Sequence, residues 1–201
     1  MTTIAESIGR RDTRAAALAT DALLVLTGSL FVAGLAQLYV KLPFTPVPVT
    51  GQTLAVLLVG GALGALRGGA ALLLYVGWIA IGLPFGAEGK GGDELLAAAS
   101  ATGGYLWGFI IAAALVGWLA ERGWDRKLSS AIGATLLGSV VIYLFGVPWL
   151  ASALDIPVVA EGDAFNDALE FGMYPFVVGD LLKLLIAAAA LPAAWRLMPR
   201  K

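Results

Sequence analysis

Again and again this chain runs for about twenty residues almost without a charge, the length that crosses a bilayer as one helix. Such runs restrict the fold more than any motif does. Inside hydrocarbon every backbone N–H and C=O must find a partner within the protein, and helices supply those partners locally. Only 13% of residues are charged and mean hydropathy is +0.86, whereas soluble domains carry about 25% charge. The expected architecture is an all-α integral membrane protein, a single membrane domain with six transmembrane helices. The spans fall at about 21–40, 54–66, 68–84, 103–120, 128–149 and 174–197, behind an arm at 1–20 that turns helical near Thr13. The second span is short. Thirteen residues reach roughly 20 Å, so it must tilt or borrow from the loop before it.

Lysine and arginine set the expected topology. Arg10, Arg11, Arg14, Arg67, Arg122, Arg126, Lys127, Arg196, Arg200 and Lys201 fall on one side, and only Lys41 and Lys90 on the other. Positive charge stays inside, so both termini are expected in the cytoplasm, with the protein multi-pass in its cell membrane. Arg10, Arg11 and Arg14 precede no apolar core of a cleavable signal, so no leader is expected.

Three unusual connections then lie outside. Residues 41–53 place Pro43, Pro46 and Pro48 in an apolar segment, which forbids a regular helix and suits a lid. Residues 86–92 form a glycine-rich loop carrying Glu88 and Lys90, and residues 95–100 are expected to form a short interfacial helix. The third connection is acidic, with Asp155, Glu161, Asp163, Asp167 and Glu170, and its 163–171 stretch suits a short surface helix. Beneath these loops lie Asp180 and Lys183, three residues apart and so on one helical face. An ionisable pair inside a span marks a functional site by default. Two readings follow: a buried salt bridge in a structural membrane partner protein, or a floor for a small polar ligand.

Several chemistries are absent. The chain has no Cys and no His, which removes thiol redox chemistry, His- or Cys-based metal sites and the usual catalytic pairs. Asp180 has no second intramembrane carboxylate to act with, so no catalytic residue, metal or cofactor is expected, and no nucleic-acid partner. No Gly-x-x-x-x-Gly-Lys-Ser/Thr sequence occurs, and no internal duplication of the carrier type is visible. A binding subunit that draws on a partner's energy fits these absences. Ser29 and Ala33 form a small-xxx-small pair on span 1, where another helix can come close, from the same fold or from a partner.

Four stretches carry a resemblance: Leu42-Pro-Phe-Thr-Pro-Val-Pro-Val-Thr-Gly-Gln-Thr-Leu54, Gly82-Leu-Pro-Phe-Gly86 with Gly91-Gly92, Thr102-Gly-Gly-Tyr-Leu-Trp-Gly-Phe109, and Pro175-Phe-x-x-Gly-Asp-x-x-Lys183. In order and spacing they resemble the BioY family, the biotin-binding S components of energy-coupling-factor vitamin transporters. The resemblance spans about residues 15–197. It implies biotin bound from outside, and work supplied by a transmembrane coupling protein and two ATP-binding subunits. Biotin would be cargo rather than cofactor. It further implies Asp180 and Lys183 as the polar floor, Tyr105 with Gly103 and Gly104 as lining, the loop holding Thr45, Thr50 and Gln52 as cover, and Ser29 and Ala33 as the surface met by the coupling protein. Biotin offers an anionic valerate, ureido N–H donors and an apolar ring. The expected pairing is Lys183 with valerate and Asp180 with ureido N–H.

Overall fold

The computed structural model of the chain describes residues 3–7, 13–160 and 167–197. Arg10, Arg11, Arg200 and Lys201 of the basic set, Glu161 and Asp163 of the acidic loop, and the start of the expected 163–171 helix lie outside them.

A short helix α1 (Ile4–Ser7) precedes α2 (Arg14–Ala36). Thr13 caps α2, its Oγ1 accepting from Ala16 N at 3.1 Å, which satisfies one of the free N–H groups of a helix start. The proline loop follows, pinned by a two-residue ribbon of β1 (Tyr39–Val40) against β2 (Val49–Thr50), with Tyr39 opposite Thr50. Helices α3 (Gln52–Leu63) and α4 (Ala65–Ala80) meet at Gly64, whose φ of 88° demands glycine. There the chain doubles back, and a Cβ on Gly68 would lie 3.0 Å from Gly60 Cα. Glu121 caps the new helix, accepting from Ala65 N at 2.8 Å, as suits a carboxylate at a helix N-terminus. After the glycine loop and α5 (Asp93–Leu96) come α6 (Gly103–Glu121) and α7 (Leu128–Leu154). Then α8 (Ala168–Gly172) and one 3₁₀ turn (Tyr174–Phe176) lead into α9 (Val177–Leu197).

Helix α6 is the centre, with α3, α4 and α7 packed around it. Helix α2 leans on α3 and α4, and α9 on α3 and α7. Small residues make this possible: a Cβ on Gly60 would meet Ala113 O at 2.5 Å, and one on Gly117 would meet Gly64 C at 2.3 Å. Large apolar side chains point outward instead: Leu26, Leu30 and Phe31 on α2, Leu137 and Leu144 on α7, Val178, Leu182 and Ile186 on α9. A surface of this kind belongs in lipid, and the protein is multi-pass. Among the described residues, four helical stretches are long and apolar enough to cross by themselves: Arg14–Ala36, Gly103–Glu121, Leu128–Leu154 and Ala168–Leu197. Helices α3 and α4 are apolar but shorter, with 12 and 16 residues. The fifth span, expected to end near residue 149, continues as α7 through Pro148 to Leu154. Helix α2 begins at Arg14, where the arm was expected to turn helical, and ends at Ala36 short of the expected residue 40, because the ribbon takes Tyr39 and Val40.

Of the two readings of Ser29 and Ala33, contact within the fold is the one seen, and the partner surface that the resemblance implied is not. Ser29 is fully buried and Ala33 nearly so. Ser29 Oγ donates to Leu26 O at 2.8 Å and accepts from Trp78 Nε1 of α4 at 3.4 Å. The small face of α2 is used within the fold, where it brings α4 close; Gly28 beside it would place a Cβ 3.1 Å from Ala71 Cβ. Both side chains face the interior of this bundle.

Candidate functional site

The proline loop, the glycine loop and α8 gather at one end of the bundle. At the other end Arg67 meets Asp21 at 3.0 Å and Glu6 at 3.5 Å. The loop end encloses a cavity of about 580 Å³, counting its open mouth. Its wall is apolar, from Val47, Pro48, Leu95, Leu106, Phe109, Ile142 and Phe176. Thr50, Gln52, Thr53, Tyr105, Tyr143, Asp180 and Lys183 place polar groups among them. A greasy wall with a few fixed polar groups is the usual build of a small-molecule site.

The floor is made by α9. Met173–Phe176 starts the helix with Pro175 in the 3₁₀ turn, so Asp180 falls in the first turn of α9, where the helix dipole favours a carboxylate. Lys183 follows one turn later and donates to Asp180 Oδ1 at 2.8 Å. Thr53 Oγ1, from the first turn of α3, donates to the same oxygen at 3.0 Å. Tyr143 OH, from the middle of α7, donates to Oδ2. Three donors from three helices therefore converge on one carboxylate, and both charged side chains are less than a fifth exposed. A buried charge needs such partners.

Tyr105 stands beside Tyr143, ring edge to ring face, with centroids 6.5 Å apart. Its hydroxyl donates to Gly172 O at 2.8 Å. Two glycines cut the slot for its ring: a Cβ on Gly146 would lie 2.2 Å from Tyr105 Cε1, and one on Gly172 would lie 2.3 Å from its hydroxyl. Gln52 is almost fully buried at the start of α3. Its Oε1 accepts from Thr50 Oγ1 at 2.8 Å, and its Nε2 donates to Tyr75 OH at 2.7 Å.

The cover is tied down at both sides. Thr45 does not line the cavity; its Oγ1 donates to Phe171 O at 2.6 Å and anchors the proline loop to α8. On the other side Glu88 takes Lys41 from the proline loop and Lys90, at 3.2 Å, from its own loop. Burial works to raise the Glu88 carboxyl, but the two ammonium groups outweigh it and hold it below the usual range. Lys41 is raised in turn, first by its hydrogen bond to Glu88. Both groups stay ionised around neutral pH.

Gly103 and Gly104 need correcting. They do not line the cavity. A Cβ on Gly103 would lie 2.9 Å from the Trp149 ring, and one on Gly104 would lie 2.2 Å from Trp149 Cβ. They bring α6 against α7, and so set where Tyr105 begins. Thr53 and Tyr143 are the residues that sequence reasoning left out. Thr53 closes the proline-loop motif already singled out. Tyr143 had a fainter signal: a hydroxyl carried deep in an apolar run, far from either interface, needs a partner.

The sequence pattern of the BioY family matches residues 8–200, nearly the whole chain. The chain belongs to the BioY family. A BioY protein of Rhizobium etli described as a biotin transporter is 37% identical over 156 residues, covering 74% of this chain and 78% of that one. Another, from Thermotoga maritima, is 38% identical over 150 residues, covering 75% and 82%. A third, from Rhodobacter capsulatus, is 36% identical over 164 residues, covering 75% and 84%. Among solved structures, the S-component for biotin from an ECF-type ABC transporter superposes with a TM-score of 0.77, covering 92% of this chain and 94% of that one at 21% identity. At that identity the likeness is one of fold.

Proposed function

We propose that this chain is the substrate-binding membrane subunit of a biotin uptake system, and that the loop-covered cavity is its biotin site. Membership of the BioY family supports the ligand; one observation carries the site. Asp180 and Lys183, the pair that membrane burial makes costly, stand side by side in the largely apolar cavity beneath two tied-down loops. The ureido N–H groups meet Asp180 and the valerate meets Lys183, while Tyr105, Phe109 and Phe176 receive the apolar ring. Thr50 and Gln52 add polar groups under the cover. Biotin is cargo here, and the site calls for no cofactor.

The finer topology belongs to the same proposal. Helices α3 and α4 count as two of six spans in one membrane domain, both termini face the cytoplasm, and the cavity opens outward in a prokaryotic cell membrane. Work comes from a transmembrane coupling protein and two ATP-binding subunits.

Calorimetry with purified protein tests the ligand. Biotin binds the wild type, and Asp180→Asn or Lys183→Ala weakens it at least about tenfold, the cost of leaving one buried charge unpaired. A wild type that gives no heat with biotin would falsify the reading. A second reading has its own support in the closed Asp180–Lys183 contact at 2.8 Å: a structural membrane partner held by that bridge. It wins if both variants bind as the wild type does yet unfold at lower temperature.

A further inference from the structure

The geometry points to Tyr75 as the residue that sets Gln52 in the site, although Tyr75 itself does not line the cavity. This rests on the biotin reading above. Tyr75 is fully buried on α4, and its hydroxyl has two partners. It donates to Phe85 O at 3.1 Å and lies 2.7 Å from Gln52 Nε2.

The direction of this chain follows from its last member. A backbone carbonyl only accepts, so Phe85 O obliges the Tyr75 hydroxyl to donate to it. The hydroxyl has no second proton, so towards Gln52 it must accept. It therefore faces the NH₂ end of the amide. The oxygen end then turns to Thr50, whose hydroxyl donates at 2.8 Å. An amide whose two ends are hard to tell apart by shape is given one orientation by hydrogen-bond logic alone. Without the Tyr75 hydroxyl, Nε2 loses its buried partner and nothing in the chain prefers that orientation. A ligand that bonds to the amide would then meet a mixture of donor and acceptor.

The same hydroxyl reaches the cover. Phe85 immediately precedes the glycine loop, and its carbonyl also accepts from Gln37 Nε2 at 3.5 Å, with Gly86 O at 3.0 Å from the same nitrogen. Gln37 thus holds the loop without touching Gln52, which separates the two effects.

Calorimetry on four proteins tests the assignment: wild type, Tyr75→Phe, Gln52→Ala and the double variant, each with its melting temperature. Tyr75→Phe keeps the ring and is expected to weaken biotin about tenfold. The double variant is expected to bind no more weakly than Gln52→Ala alone, since a residue acting through Gln52 has nothing to act on once it is gone. Gln37→Ala, which loosens only the loop, is expected to cost far less. Undiminished binding by Tyr75→Phe overturns the assignment, and so do losses that multiply in the double variant. Should Tyr75→Phe not fold, Tyr75→Met removes the same hydroxyl with a side chain that repacks readily. It must then weaken the wild type and leave Gln52→Ala unchanged; independent losses overturn the assignment there too. A wild type that does not bind biotin strikes the proposed function instead.

Discussion

Asp125 is the residue whose chemistry is most exposed to test outside the site. It lies in the turn between α6 and α7, almost fully buried, and accepts from Trp195 Nε1 near the end of α9 through Oδ2. Among the described residues its Oδ1 has no hydrogen-bond partner. Burial raises its carboxyl above the usual value, with the Trp195 bond and nearby Arg126 opposing. A raised carboxyl in the fold holds a proton that the unfolded chain has lost. Its contribution is therefore greatest below the ordinary carboxylate value, about 4, and is lost as pH rises through the higher folded value. Thermal unfolding of the wild type from about pH 4 to 7 should show this loss, and Asp125→Asn should show a flatter profile; equal slopes would refute it. The contrast with Asp180 says what sequence makes legible. A charge inside an apolar run declares itself, and Asp180 with Lys183 was readable from spacing alone. Asp125 sat in a charged turn, where nothing marks one carboxylate as buried. Tyr143 and Tyr75 were hidden for the opposite reason, because an aromatic in a span reads first as apolar filling.

At the scale of helices, the bundle is governed by where side chains are missing. Gly104→Ala would drive a methyl to 2.2 Å from Trp149 Cβ and 2.5 Å from Phe145 O. Backbone cannot retreat cheaply, so a loss of about 1–3 kcal/mol in stability is expected. Gly77 sits in α4 with nothing within 4 Å of a Cβ. Gly77→Ala should instead stabilise by about 0.5–1 kcal/mol, the usual gain of alanine over glycine in a helix. Melting in detergent compares the two, and a harmless Gly104→Ala would discredit the close packing of α6 on α7. Long spans were legible from hydropathy, since a run such as 128–149 admits few alternatives. Their ends were less so. Pro148 reads as a stop but lies within α7, where neighbouring helices tolerate it. Ser29 and Ala33 show the limit clearly: sequence says that a helix face is small, never which helix uses it.

For the molecule as a whole, the separation of basic and loop-rich ends can be tested by labelling, helped by a chain without native cysteine. Val159 is exposed in the loop after α7, and Lys127 is exposed before it. A membrane-impermeant maleimide should label Val159→Cys in intact cells and Lys127→Cys only after permeabilisation. The reverse pattern would invert the topology. That the proline loop and the glycine loop share one end of the bundle with Asp180 was legible from the charges by side. The fastening was not, because Lys41–Glu88 and Thr45–Phe171 join segments far apart in sequence. The triple hold on Asp180 bears on time rather than strength. A carboxylate accepts about four hydrogen bonds, and three of those places are filled, two at Oδ1 and one at Oδ2, so in the proposed site a ligand with two N–H groups adds one bond and must displace a side chain for the other. Capture then waits on the departure of a side chain. Release reverses that exchange.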